Sequence, residues 1–321
     1  MNQKESTESP NLNNYILQDR IGSGSFGKVY KVKDKRTNEI YAAKISINAI
    51  DTDTQQLFTA ISQEVNIISR LNHPSILKFI LFSPINFKNK PKPVIITEYA
   101  SSGSLLQLIE HDRVNPANHI LDDTRKLIII YGIASAMSYL HFNDILHRDL
   151  KPDNVLMDSF YPKIADFGLS KSDIFFGESM ITKTDQGTIK GTPIFMSPEI
   201  WEKGQYSKYS DVYAFSLVLY KLLTLKKPFS NANIFTLGYM VKNGKRPEFD
   251  VKLPEVYKDL IVRCWSQEPE KRPTFDQILI ELRTDRRYIT PTVNEEEYLN
   301  YIKYIDEYET SFNSGFIRPP S

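Results

Sequence analysis

Residues 147–154 read His-Arg-Asp-Leu-Lys-Pro-Asp-Asn, and twelve positions after Asn154 stands Asp166, followed by Phe167 and Gly168. Two acids and an amide in this order suit phosphoryl transfer. Asp149 can accept the proton of a hydroxyl, while Asn154 and Asp166 can hold Mg²⁺ against the phosphates of a nucleotide. Magnesium prefers one or two carboxylates completed by phosphate oxygens and waters, so one acid with one amide suffices.

A second group lies earlier in the chain. Gly22, Gly24 and Gly27 form Gly-Ser-Gly-Ser-Phe-Gly. Alone the spacing is weak, because it also serves dinucleotide-binding turns, which open a helix. Here Lys28-Val29-Tyr30-Lys31-Val32 follows, alternating as a strand does, so a glycine-rich hairpin is expected. Its amides could close over triphosphate oxygens. Lys44, in Tyr-Ala-Ala-Lys-Ile, falls on the next expected strand and by itself reads as an exposed strand lysine. Glu64 falls twenty residues later on an amphipathic stretch and could equally face solvent.

His147–Asn154 with Asp166-Phe167-Gly168 resembles the catalytic and magnesium-binding loops of the eukaryotic protein kinase family. The resemblance covers about Tyr15 to Arg283, and the runs Ser210–Phe229 and Cys264–Leu279 are most similar to the tyrosine-kinase-like group of Ser/Thr kinases. It implies an α+β, bilobal fold: a small antiparallel sheet lobe with one helix, and a larger, mainly helical lobe. It also implies Mg-ATP as cofactor and protein serine or threonine hydroxyls as acceptors.

The resemblance assigns roles residue by residue. Asp149 orients the acceptor hydroxyl and takes its proton, and Lys151 neutralises the γ-phosphate. Lys44 meets the α and β phosphates and Glu64 pairs with it. Ile21, Gly22, Gly24, Gly27 and Val29 cover the nucleotide from the hairpin, joined by Ala42. Thr97 is the gatekeeper, and Glu98, Tyr99 and Ala100 form the hinge whose backbone meets adenine. Leu156 closes the other adenine face, and Asn154 and Asp166 hold the metal. Thr192, after Gly191, bonds the catalytic aspartate and lysine and favours Ser/Thr over tyrosine acceptors. His147 is structural, beneath Phe167; Asp211 fixes the catalytic-loop backbone; and Glu199 of Ser197-Pro198-Glu199 pairs with Arg272. Ser216 replaces a frequent glycine, for which the sequence offers no reading.

These residues need elements to place them. Short β-branched and aromatic runs from Tyr15 to about Ile47 predict strands, as do Ile76–Phe82 and Val94–Tyr99. Leu57, Ile61, Val65 and Ile68 predict a helix over 51–71, ended at His73-Pro74. Asp122 is the expected N-cap of a long helix reaching Phe142, and further helices are expected between Ser210 and Leu282. The expected organisation is a disordered segment 1–14, a catalytic domain 15–285 (small lobe 15–99, hinge and large lobe 100–285) and a tail 286–321. In the tail, Tyr298, Tyr301, Ile302, Ile305 and Tyr308 share one helical face. Self-packing, a partner surface and disorder compete for it.

Composition sets bounds. The 321 residues are 41% hydrophobic and 25% charged, with a net charge of +1, so no global field points to nucleic acid or an acidic membrane. The amino terminus lacks the apolar core of a signal peptide and no run reaches the roughly 20 apolar residues that span a bilayer, so a cytoplasmic or nuclear protein is expected. The single Cys264, in an apolar run, is expected to be a reduced core thiol.

Regulation enters through Arg148, whose counterpart in the family often binds a phosphorylated residue of the activation segment. Thr184 and Thr188 are the expected sites, modified by an upstream kinase or in trans, although a polar, merely solvated loop reads similarly. The apolar Ile174-Phe175-Phe176 within that segment suggests docking in an inactive state. Two other classes compete: a pseudokinase scaffold, which typically loses the lysine, an aspartate or the glycines, and a small-molecule phosphotransferase, which lacks a Ser-Pro-Glu-terminated activation segment.

Overall fold

A computed structural model of the chain describes residues 11–24, 27–47, 65, 68–166, 181–184, 187–230 and 232–312. They fall into two compact units. The first takes the described residues before 72 together with Lys78–Tyr99; the second takes Asn72–Leu77 and those from Ala100 onward.

The first unit is an antiparallel sheet of β1 (Tyr15–Gly24), β2 (Gly27–Asp34), β3 (Ile40–Ser46), β4 (Phe79–Ser83) and β5 (Val94–Glu98), in the order β1-β2-β3-β5-β4. Period-two alternation divides its side chains. Val32, Ala43, Val94 and Ile96 are buried in a core with Tyr15. Register puts Val29 opposite Lys44, Lys44 opposite Ile95, and Ala42 opposite Thr97, so these belong to the other face. The glycines lie on a hairpin, Gly22 facing Val29 and Gly24 facing Gly27, with a strand and not a helix after them.

Three expectations shift. Leu12–Asn14 form a 3₁₀ turn capped by the side chain of Asn11, and Leu12 packs on the sheet core, so order begins within the stretch expected to be disordered. The strand expected over Ile76–Phe82 starts at Phe79. Ile76 leaves it to bridge Ile164 in the second unit, where its side chain is buried. Of the helix expected over 51–71, Val65 and residues 68–71 are described; Val65 and Ile68 are helical, while Ser69 and Arg70 already turn out of the helix, and Glu64 lies outside the described residues.

The second unit is built on α2 (Asp123–Phe142), buried over nearly its whole length. Asp122 caps it by accepting from the Arg125 amide, a contact that contributes about 1 kcal/mol. The described helices around it are α1 (Leu105–Val114), α3 (Pro198–Lys203), α4 (Lys208–Thr224), α5 (Ile234–Lys242), α6 (Glu255–Cys264), α7 (Phe275–Thr284) and α8 (Glu295–Phe312). Ser104, Ser207 and Thr274 close capping boxes at α1, α4 and α7. Two hairpins complete the unit, β6 (Val155–Asp158) with β7 (Tyr161–Ile164), and β8 (Ile181–Thr184) with β9 (Gly187–Lys190). The second hairpin lies in a stretch that reads as irregular in sequence.

The tail helix packs on its own unit. Tyr298, Tyr301, Ile302 and Ile305 are buried, and the Tyr298 hydroxyl donates to the Leu282 carbonyl. Cys264 is buried and free, and burial raises its thiol pKa. Ser216 gains a reading: in the buried heart of α4 its hydroxyl donates to the Tyr213 carbonyl at 2.6 Å. Among the described residues no helix is long and apolar enough to cross a membrane.

Candidate active site

The second unit gathers the residues of the His147–Asn154 loop around one carboxylate. Asp149 is 5% exposed. Its Oδ1 accepts from the amide and the hydroxyl of Thr192, at 2.9 and 2.7 Å. Its Oδ2 lies 2.8 Å from the Lys151 ammonium and accepts from the Asn154 side-chain amide at 3.0 Å. Lys151 also donates to the Thr192 hydroxyl at 2.6 Å, which closes a triangle of carboxylate, ammonium and hydroxyl.

The loop is held from beneath by Asp211 on α4, 2% exposed. Its two oxygens accept from the His147 and Arg148 amides, each at 2.9 Å, and His141 Nε2 lies 2.9 Å from Oδ2. A buried carboxylate with this many donors is satisfied, so it can act as a fixed clamp. Arg148 takes a left-handed backbone, φ 66°, between these bonds. His147 is fully buried, and burial lowers its pKa against the pull of Asp211 and Asp149. It accepts the Asp149 amide on Nδ1 at 3.3 Å, as a neutral ring does, which suits a structural part. Phe167 lies outside the described residues.

Asn154 and Asp166 are related by a hairpin. β6 begins one residue after Asn154 and β7 ends two before Asp166, with Val155 opposite Ile164. The Ala165 amide donates to the Asn154 carbonyl at 2.9 Å. With its nitrogen donating to Asp149, Asn154 has Oδ1 to offer a cation. One carboxylate and one amide oxygen, on backbone segments that the hairpin brings together, are the donor types of a hard divalent ion that takes its other ligands from phosphates and water. Leu156, between the buried Val155 and Met157, points to the opposite face of this hairpin and is half-buried.

Glycine at 191 has a physical reason. Its φ is 117°, and a Cβ there would stand 3.1 Å from the Arg148 carbonyl. Only glycine lets Thr192 follow so closely on the catalytic loop. Beyond it, Glu199 and Arg272 form a two-pronged pair, both contacts 2.8 Å, and Arg272 also donates to the Ser266 and Tyr209 carbonyls. Burial would raise the Glu199 pKa, but the Arg272 bonds outweigh it and hold the carboxyl below its usual value.

In the first unit, Val29, Ala42, Lys44 and Thr97 share the sheet face opposite the core. Gly27 has a different reason for being glycine than close approach to phosphate: a Cβ there would collide with the Ile45 carbonyl of β3. Glu98 turns its carboxylate to the Lys78 amide at 2.8 Å, and the Thr97 hydroxyl donates to the Glu98 carbonyl at 3.1 Å. Tyr99 has the Lys31 ammonium 4.8 Å from its ring centre, and Ile21 is exposed. Gly22 and Gly24 lie on β1, and Ala100 opens the chain's passage into the second unit.

A protein kinase domain model matches residues 15–281. The chain belongs to the protein kinase family. As a kinase domain it implies ATP and a divalent metal. Similar proteins include the probable serine/threonine-protein kinase gdt2 of Dictyostelium discoideum, 31% identical over 86% of this chain and 16% of its own. The serine/threonine-protein kinase CTR1 of Arabidopsis thaliana is 33% identical over 88% of this chain and 33% of its own. The probable serine/threonine-protein kinase drkC of D. discoideum is 31% identical over 84% and 35%. The kinase domain thus spans from about a sixth to about a third of the length of these relatives.

Two contacts between residues 73–75 and α8 carry no signal in the sequence. Glu309 and His73, 236 positions apart, form a buried pair at 3.1 Å, and Tyr301 meets Ser75 across 226 positions. Neither shows any local spacing.

Proposed function

We propose that this chain transfers the γ-phosphate of Mg-ATP to serine or threonine hydroxyls of proteins. The observation that carries the reading is the triangle of Asp149, Lys151 and Thr192. Asp149 is a buried carboxylate whose position is set by four donors from three residues, so it can orient an acceptor hydroxyl and receive its proton as transfer completes. Lys151, held between Asp149 and Thr192, neutralises charge on the moving phosphoryl group. Asn154 and Asp166 would hold Mg²⁺, which supplies charge neutralisation at the phosphate oxygens.

From the sheet, Lys44 would meet the α and β phosphates with Glu64 as its partner. Gly22, Gly24 and Gly27 would cover the phosphates, and Ile21, Val29, Ala42 and Leu156 would line the adenine. Thr97 would stand behind the base, with the backbone of Glu98, Tyr99 and Ala100 along its edge. The serine/threonine names of the relatives support the acceptor class, and so does Thr192 beside Lys151.

Activation-segment phosphorylation belongs to the same reading. Arg148 sits partly buried with its guanidinium 5.7 Å from the Tyr206 ring centre. A phosphate at Thr184 or Thr188, added by an upstream kinase or in trans, would bring about −1.5 to −2 charge to this cation. Backbone register places Thr188 opposite Lys183 and Thr184 opposite Gly187; Ser170, Ser172, Ser179 and Ile174-Phe175-Phe176 lie outside the described residues. A cytoplasmic or nuclear location completes the proposal.

The test is incubation with Mg-ATP and a degenerate peptide library, with Asp149→Asn as control. Transfer to Ser/Thr peptides that vanishes in the variant is expected. Nucleotide binding without transfer would indicate a scaffold, and transfer to tyrosine alone would overturn the acceptor class. For regulation, replacing Thr184 and Thr188 by Ala should lower activity and remove a phosphopeptide; undiminished activity would sink that part.

A further inference from the structure

Helix α8 lies beyond residue 281, where the kinase domain match ends, yet its inner face is wired to the strand that leads into Asp166. We propose that Tyr301 is a positioning residue: through Ser75 and β7 it holds the backbone that presents Asp166 to the metal–nucleotide. The metal-binding part of this inference rests on the role given to Asp166 above.

The connection is continuous within the second unit. Tyr301 is 2% exposed, and its hydroxyl lies 2.8 Å from the Ser75 hydroxyl. Its ring stacks on Tyr161 at the start of β7, centroids 4.9 Å apart and planes within 7°. Ser75 in turn grips the end of β7. Its carbonyl accepts the Ile164 amide at 2.8 Å, and the Leu77 amide donates to the Ile164 carbonyl at 2.9 Å. Ile164 therefore has both backbone groups tied to residues 75–77, and Asp166 follows two positions later.

The same segment is pinned at two further points by α8. Glu309 Oε1 lies 3.1 Å from His73 Nε2, and His73 Nδ1 accepts the Ser75 amide at 3.0 Å. The Tyr308 hydroxyl donates to Asn72 Oδ1 at 2.6 Å. On the far side, α2 makes room for the arrangement. A Cβ at Gly132 would run into the Tyr301 hydroxyl and the Pro162 ring of β7. Glycine is unfavourable inside a helix relative to alanine, and here it allows α8 and β7 to meet over α2.

Asp166 is where such support matters. Its φ is 58°, a left-handed backbone that is unfavourable for an aspartate and persists where surrounding contacts over-determine it. Burial of Tyr298, Ile302 and Ile305 covers the apolar face of α8. The polar contacts to Asn72, His73 and Ser75 go beyond docking, because they fix the segment to which Ile164 is bonded.

The experiment uses the full chain and two matched deletions of a hydroxyl on α8. Tyr301→Phe removes the contact to Ser75 and keeps the ring stack. Tyr298→Phe removes a contact to the Leu282 carbonyl, away from residues 72–77. Amide hydrogen exchange at Leu77 and Ile164 should speed up about 5- to 10-fold in Tyr301→Phe, the scale of one lost hydrogen bond, and stay unchanged in Tyr298→Phe. The Mg²⁺ needed for half-maximal binding of a fluorescent ATP analogue should rise several-fold in Tyr301→Phe alone. A purely stabilising role would lower the melting temperature in both variants without moving that midpoint.

Equal exchange in the two variants overturns the tether, and faster exchange with an unmoved Mg²⁺ midpoint overturns the positioning role. If the unaltered chain binds no nucleotide, the functional reading fails while the exchange rates still decide whether Tyr301 holds β7.

Discussion

Thr192 gives both its amide and its hydroxyl to one oxygen of Asp149, at 2.9 and 2.7 Å, while the same hydroxyl accepts from Lys151 at 2.6 Å. One threonine therefore sets the direction of the proposed base and the reach of the proposed phosphate-neutralising lysine. Thr192→Ala should cut kcat roughly 10- to 100-fold, in the range expected when a positioned acid–base group loses its geometry. Thr192→Ser should retain most activity. Steady-state kinetics with a Ser/Thr peptide check this, and an alanine variant as fast as the parent would refute it.

Asp211 should matter for stability as well as for activity. Asp211→Ala strands the His147 and Arg148 amides, both facing a buried site. Each unsatisfied buried donor costs about 1–3 kcal/mol, so a loss of roughly 2–6 kcal/mol is expected in denaturant unfolding. A change under about 1 kcal/mol would mean that the amides find water or another partner.

The Glu199–Arg272 pair predicts a pH dependence with a definite sign. The Glu199 pKa is lower in the folded chain than its ordinary 4.5. Its contribution is therefore present above that ordinary value and is lost as pH falls through the lower folded value. The stability gap between the parent and Glu199→Gln should be flat around neutral pH and shrink on acidification below 4.5. Unfolding free energies across an acid series measure it; a gap that widens on acidification contradicts the pairing.

Cys264 should be inert in the native state. Its thiol is fully buried and its pKa is raised by that burial, so little thiolate forms near neutral pH and none is reachable. Labelling by a thiol reagent should follow global unfolding, with a rate that rises as denaturant is added. Rapid stoichiometric labelling in native buffer would contradict this.

The legible parts of this chain share one property: their information is local. His147–Asn154 is a contiguous string, and its backbone turn brings Asp149, Lys151 and Asn154 together within six residues. Asp122 declares the start of α2 because a cap bonds an amide three residues away. Alternation through Lys28–Val32 distinguishes the glycine hairpin from a helix-opening turn, and β2 forms there. The face shared by Tyr298, Tyr301, Ile302 and Ile305 is likewise written in a helical period.

Which surface that face meets was decided by tertiary structure alone. Three readings of the tail were open because amphipathic periodicity states that a face will be covered, not by what. Beyond Leu282 and Tyr161, α8 reaches Ser75, His73 and Asn72 through Tyr301, Glu309 and Tyr308, more than 220 positions away, and each of these contacts is a single polar group with no repeat to betray it. The same holds for Ile76, whose β-branched side chain reads as the start of a strand. It is drawn instead to Ile164, because pairing beside the end of β7 buries it. Local propensity specified the elements and the reactive loop, while long-range burial and hydrogen-bond satisfaction decided that the tail helix would be joined to the strand before Asp166.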